Sequence, residues 1–142
     1  MENNITKVEK VLYTGKTNTK GGREGASKSS DGKLNILLSS PGTSGQGTNP
    51  EQLFAAGWSA CFIGAMRIAA GKLKIKLPEE TTVDAEVDLC LNGDQYFLRA
   101  RLNISLPGIE KEVAKIIVDS AHQTCPYSKM SRGNIDVVIT VL

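Results

Sequence analysis

Apolar positions follow different periods in different stretches of this chain, and each period predicts a different element. From residue 83 they alternate: Val83, Ala85, Val87, Leu89 and Leu91 interleave with Asp84, Glu86, Asp88 and Cys90. After Asn92-Gly93-Asp94-Gln95 the alternation resumes, with Tyr96, Leu98, Ala100, Leu102, Ile104 and Leu106 set between Arg99, Arg101, Asn103 and Ser105. A period of two on both sides of an Asn-Gly turn signal predicts an antiparallel hairpin over residues 82–106. Setting Asn92 against Gln95 brings Asp88 opposite Arg99 and Glu86 opposite Arg101. The same register aligns both apolar faces, so charge and pattern agree. Cys90 falls on the polar face and reads there as incidental.

Leu53 to Ala70 is apolar almost without interruption. Thr48-Asn49-Pro50-Glu51 precedes it with a cap, a proline in the first turn and an acid at the positive end, which predicts a helix starting there. It can run to about Gly71, where glycine supplies a stop. The run reaches the lower edge of membrane-spanning length. It is built on Ala and Gly, contains Ser59 and Arg67, and has no basic flank before it, so it predicts a buried central helix enclosed on most sides. Gly57, Ala60, Gly64 and Ala65 leave parts of it thin enough for another backbone to approach.

A helical period reappears over Gly108 to Thr124, with Ile109, Val113, Ile116, Ile117 and Ser120 on one face. Pro107-Gly108 introduces this second helix and Pro126 closes it. Ile135, Val137, Ile139 and Val141 alternate as a final strand. Residues 5–14 give a weaker strand pattern, residues 15–25 are polar, and Ala26 to Ser39 reads as a hairpin turning at Asp31-Gly32. Ser39 to Asn49 is a loop with no lysine placed to cradle a phosphate. The class is α+β, with antiparallel strands beside two helices, one deeply buried.

Length and charge narrow the function. A chain of 142 residues suffices for one domain with its own core. The net charge is only +2, with no run of five or six like charges, so neither nucleic acid nor a membrane surface is expected as a partner. The N-terminus lacks the charged-then-apolar order of a signal peptide, and three cysteines suit a reducing, cytoplasmic setting. His122 and Cys125 are spaced like two zinc ligands, but a closed site needs four and this is the sole histidine, so no metal or cofactor is expected. There is no Cys-x-x-Cys.

Two of the cysteines occupy contrasting settings. Cys61 lies within the long apolar helix, and Cys125 sits at the break after the second helix, in His122-Gln123-Thr124-Cys125-Pro126-Tyr127. The pair suits a nucleophile with a resolving partner, although buried cysteines also serve as small hydrophobes. A thiol is mostly protonated at neutral pH and burial holds its proton more firmly, so a reactive Cys61 needs a cation. Arg23, among the glycines of Gly21-Gly22-Arg23-Glu24-Gly25, can approach closely and offer a fork of donors, with Glu51 as its acceptor. Both have plainer readings: Arg23 as a loop charge and Glu51 as a helix-start acid.

The stretch from Thr48 to Phe62 (TNPEQLFAAGWSACF) resembles the peroxidatic-cysteine helix of the organic hydroperoxide resistance (Ohr) branch of the OsmC/Ohr family. Ala121 to Ser128 (AHQTCPYS), followed by Arg132 to Val137, resembles the segment carrying that family's second cysteine. Gly21 to Gly25 is similar to the loop bearing its catalytic arginine. The three matches come in the family's order and span nearly the whole chain, while Trp58-Ser59 stands where tyrosine and alanine are common, and Cys90 lies outside the pattern. The resemblance implies an OsmC/Ohr-like fold over residues 1–142: antiparallel sheets wrapping a long buried helix, in an intertwined homodimer with active sites at the interface. It implies a cytoplasmic, thiol-dependent peroxidase acting on organic and fatty-acid hydroperoxides in oxidative-stress defence. Cys61 would attack and Cys125 would resolve through an intramolecular disulfide. A dithiol, typically a lipoyl group on a lipoylated protein, would then reduce that bond. Arg23 would hold the thiolate and Glu51 would hold Arg23. Phe54, Phe62 and Tyr127 are candidate pocket residues.

Geometry adds an expectation about assembly. Ten residues separate Glu51 from Cys61, about 15 Å along a helix. Two copies packed antiparallel, crossing near Ala56 and Gly57, would set Glu51 of one beside Cys61 of the other. Two rival functions remain open at the sequence: a non-enzymatic carrier of apolar ligands, and a thioesterase-like hydrolase.

Overall fold

The computed structural model describes residues 5–142, which divide into two compact units at the junction between Asn49 and Pro50. In the first unit, β1 (Thr17–Lys20), β2 (Ala26–Ser29) and β3 (Asn35–Leu37) form an antiparallel sheet in that order. The hairpin expected at Asp31-Gly32 is present. Asp31 Oδ1 accepts from Ser29 Oγ at 2.6 Å and from the Lys33 N–H at 3.0 Å, and Gly32 takes a left-handed φ of 74°. The strand expected over residues 5–14 is absent: the segment is exposed throughout and joins no ladder, and the first strand begins at Thr17. Backbone pairing to β2, and not apolar alternation, makes a strand of the polar Thr17–Lys20. Gly25 allows the close turn between β1 and β2, since a Cβ there would stand 1.8 Å from the Lys20 carbonyl oxygen.

The second unit holds α1 (Pro50–Lys72), β4 (Thr82–Asn92), β5 (Gln95–Ser105), α2 (Lys111–Thr124), α3 (Pro126–Ser131) and β6 (Asp136–Val141). β4 and β5 pair in the expected register, with Asn92 opposite Gln95, Asp88 opposite Arg99 and Glu86 opposite Arg101. The charged face is knit further than opposition alone provides. Arg101 grips Asp88 with two donors at 2.8 and 2.9 Å while its Nε donates to Glu86 at 3.1 Å. Arg99 also bonds Asp88, at 2.8 Å.

Three expectations need correction in this unit. β6 lies parallel to β5, so the sheet β4-β5-β6 is mixed. A parallel neighbour requires a crossover, and α2 with α3 supplies it. The buried face of α2 is Ala114, Ile117, Val118 and Ala121, while Ile116 is exposed. The phase read from the larger residues is turned because two alanines, small enough to bring the helix close, belong to the contact. Gly71 does not stop α1. The stop is a Schellman arrangement with Lys74 in the left-handed region at φ 58°, the Ile75 N–H bonding Ala70 O at 2.9 Å and the Lys74 N–H bonding Gly71 O at 3.0 Å.

α1 packs against β4 and α2. Trp58, Phe62, Met66 and Ala70 of α1 are completely enclosed in one core with Leu102, Ile104, Ile117 and Cys125. Removing each large side chain from water contributes about 1.5–3 kcal/mol. α1 is the one helix among the described residues long and apolar enough to cross a membrane, and only 33% of its most apolar stretch is buried within the chain. The expected enclosure of this helix on most sides is therefore not found within the chain. Ala56, Ala60 and Ile68 are exposed, and a Cβ on Gly64 would meet nothing within 4 Å.

Candidate functional site

Proline chemistry sets the position of the second cysteine. The helical region is disfavoured for a residue before proline, and Cys125 accordingly takes φ −61° and ψ 124°. It ends α2, its N–H bonding Ala121 O at 2.8 Å, and it opens α3, where Pro126 fills the first position. The sharp turn aims the side chain back into the core, where Cys125 is fully buried.

Against it stands Cys61, on the face of α1 that also carries Phe54, Gly57 and Trp58. The Cys125 thiol donates to Cys61 Sγ at 3.2 Å, and both cysteines are free. Cys61 retains some solvent access, in contrast with Cys125. Burial pushes the Cys61 thiol above its ordinary value and the neighbouring Cys125 adds to the rise, while the Tyr127 backbone N–H acts in the opposite direction. Burial and Cys125 together outweigh the Tyr127 N–H, and the proton is held more firmly than in a free thiol.

Side-chain contacts also hold α3 to α1 around the sulfurs. The Trp58 indole N–H donates to Ser128 Oγ at 3.1 Å, with both side chains completely buried. The Tyr127 ring lies over Gly57, whose missing Cβ would stand 3.3 Å from the phenol oxygen. Phe54 meets Tyr127 edge-on at 5.8 Å between ring centroids and Trp58 at 5.3 Å. The thinness of α1 at Gly57 is thus used by the chain's own tyrosine.

The other residues singled out in the sequence are distributed as follows. Phe54 is half-buried, Phe62 is wholly inside the core and Tyr127 is partly exposed. Glu51 lies in the first turn of α1, half-buried. Arg23 is exposed in the short 3-10 turn Gly22–Glu24 of the first unit. Cys90 stands at the end of the charged face of β4, opposite Phe97. His122 has its Nδ1 buried without a hydrogen-bond partner, and burial followed by the charge of Arg132 lowers its pKa. It lines a groove of about 600 Å³ between α2 and β6 with Val118, Val137 and Ile139. No group of three or more potential metal ligands occurs among the described residues.

Sequence reasoning missed α3 and the Trp58–Ser128 bond. Pro126 was a usable signal for the helix, because proline favours its first position. The bond joins side chains 70 residues apart and left no trace in local pattern.

Residues 42–140 match the OsmC-like protein family. The chain is 49% identical over 137 residues to the organic hydroperoxide resistance protein of Xanthomonas axonopodis pv. citri, covering 94% of this chain and 96% of the relative. Among solved structures, an organic hydroperoxide resistance protein from Legionella pneumophila superposes with a TM-score of 0.87 at 40% identity, over 93% of this chain and 98% of the other. The organic hydroperoxide resistance protein OhrB of Bacillus subtilis gives a TM-score of 0.84 at 35% identity, over 93% of this chain and all of its own.

Proposed function

The chain belongs to the OsmC-like family, in its organic hydroperoxide resistance branch, and from that premise we propose that it is a cysteine-based peroxidase that reduces organic hydroperoxides to alcohols. The observation that carries the reading is the 3.2 Å separation of two free thiols, one reachable from solvent and one not. The reachable thiol, Cys61, is the one a hydroperoxide meets. Its thiolate attacks the distal oxygen, the O–O bond breaks, and the departing alkoxide takes a proton to become the alcohol, leaving Cys61 as a sulfenic acid. The Cys125 thiol then displaces hydroxide from that sulfur, water leaves, and a Cys61–Cys125 disulfide forms. A dithiol returns both cysteines to the thiol state and is itself oxidised to a disulfide. A lipoyl group on a cytoplasmic protein is the proposed reductant.

The raised pKa of Cys61 disfavours its thiolate, which a nearby cation would favour. Arg23 is assigned that role: its guanidinium stays charged and can bond both the sulfur and a peroxide oxygen. Glu51 is assigned to hold Arg23 in place. Glu51 and Cys61 stand about 15 Å apart along one α1, so they cannot meet through helix geometry alone, whereas a second copy packed antiparallel sets Glu51 of one beside Cys61 of the other. The uncovered row Ala56, Ala60, Gly64 and Ile68, spaced by four, supports antiparallel contact of two α1 helices in a homodimer. Phe54 and Tyr127 flank the sulfurs and are assigned to the apolar part of the substrate, and Phe62 to the wall behind them.

Peptide mass spectrometry after one equivalent of an organic hydroperoxide tests the reading. A Cys61–Cys125 disulfide with one equivalent of alcohol is expected. Two free thiols and unreacted peroxide would overturn it. A carrier of apolar ligands would retain its function in Cys61→Ser, whereas the peroxidase loses it.

A further inference from the structure

We propose that Trp58 is a positioning residue for the resolving step, acting through its bond to Ser128 to hold Cys125 within reach of oxidised Cys61. The inference rests on the peroxidase reading and adds to it a determinant of how the sulfenic acid is used. Once formed, that acid has two fates. Cys125 can close the disulfide with release of water. Alternatively, a second hydroperoxide can transfer its distal oxygen to the same sulfur, giving sulfinic acid and another molecule of alcohol. Which fate prevails depends on how constantly Cys125 stays at 3.2 Å.

The backbone bonds of Cys125, its N–H to Ala121 O at 2.8 Å and its carbonyl to the Lys129 N–H at 2.9 Å, tie it to α2 and α3 but not to α1. Cys125 lies between two helices in an extended conformation, and α3, which follows, is only six residues long. A helix that short does not hold together unaided. Its attachment to α1 comes from Tyr127 on Gly57 and Phe54, from the Tyr127 backbone N–H on the Cys61 thiol, and from Ser128 on Trp58. Of these, only the Trp58–Ser128 bond joins two completely buried side chains. A buried indole N–H requires an acceptor, and if α3 lifts away it loses the one it has. Trp58 and Cys61 stand one turn apart on α1, and Ser128 and Cys125 bracket the first turn of α3. The bond therefore ties together the same two turns that carry the sulfurs.

The test measures the ratio of disulfide to sulfinic Cys61 by peptide mass spectrometry over a range of organic hydroperoxide concentrations. It compares the wild type, Trp58→Phe, Ser128→Ala and the double variant. Each single change removes one end of the bond, and Ser128→Ala does so with little loss of volume. The expected result is a shift of the ratio toward sulfinic acid by roughly fivefold, the size of one neutral hydrogen bond. The double variant should shift no further than the singles, because both remove the same interaction. Ile104→Val, a buried change on β5, should lower thermal stability and leave the ratio at the wild-type value.

An unchanged ratio in both single variants overturns the proposal. So does an additive double variant, or an equal shift in Ile104→Val, since either would make the effect one of general stability. Failure of the wild type to form any disulfide overturns the peroxidase reading and this inference together. A wild-type disulfide with insensitive variants overturns the inference alone.

Discussion

Cys61 Sγ and Cys125 Sγ lie 3.2 Å apart, although 64 residues separate them in the chain. One belongs to a helix that the apolar run dictates, and the other to a break that Pro126 enforces. The packing of α2 and α3 on α1 makes them neighbours, and their unequal access to solvent supports unequal tasks.

The assignment predicts different outcomes for the two serine variants. Cys61→Ser should consume no organic hydroperoxide. Cys125→Ser should still undergo the first oxidation, after which Cys61 proceeds to sulfinic acid because no thiol intercepts the sulfenic form. Peroxide consumption and intact mass distinguish the two. Disulfide formation in either single variant between the remaining cysteine and Cys90 would show that Cys90 takes part.

Arg23→Ala should slow oxidation of Cys61 by about 10²-fold or more, the usual effect of removing a donor aimed at developing charge. The pH dependence carries the sign. Burial and Cys125 raise the Cys61 pKa, so without a cation the thiolate appears only as pH climbs through a value above the ordinary thiol range. The rate profile of Arg23→Ala should therefore move to higher pH than that of the wild type. Stopped-flow oxidation across a pH series, in a Cys125→Ser background with one titrating thiol at the site, measures it. Coincident profiles would remove Arg23 from activation of the thiol.

Gly57 should tolerate alanine and resist larger side chains. Gly57→Ala gains up to about 1 kcal/mol of helix propensity. Its Cβ would sit 3.3 Å from the Tyr127 hydroxyl oxygen, and the ring tip can yield by a few tenths of an ångström. Net stability should change little. Gly57→Val has no such latitude and should destabilise by about 1–3 kcal/mol as Tyr127 is displaced. Thermal or denaturant unfolding of both variants checks the contrast.

Acid sensitivity should depend on Asp88. Arg101 and then Arg99 hold its carboxyl well below the ordinary carboxylate range. A carboxyl with a depressed folded-state pKa stabilises the fold above the ordinary range, and that contribution is lost as pH falls from about 4 through the folded value. Asp88→Asn should melt at a lower temperature at pH 7, and its melting temperature should fall less steeply below pH 4. Parallel curves for wild type and variant would show that this exposed network contributes little to stability, as surface ion pairs often do.

Much of the fold was readable along the chain, and the reasons differ by element. The β4–β5 register followed from alternation and charge together, because a slip by one residue would have inverted both. The start of α1 followed from Pro50 and Glu51, local signals that need no partner. Polar Thr17–Lys20 became a strand through backbone pairing, while the apolar pattern at residues 5–14 joined no ladder, because pairing requires a neighbour that periodicity does not supply. The buried face of α2 departs from its apolar pattern for a related reason, since Ala114 and Ala121 carry little hydrophobic signal yet permit close approach.

By itself, then, the sequence determined the periods, the helix start at Pro50, the break at Cys125 and the residue types able to do thiol chemistry. All of these arise from interactions within a few positions of one another. The tertiary structure decided the parallel placement of β6, the seating of Tyr127 on Gly57, the Trp58–Ser128 bond and the meeting of the two sulfurs. Each depends on which faces of distant elements come together, and the burial of the whole core settles that, with no single segment able to specify it alone.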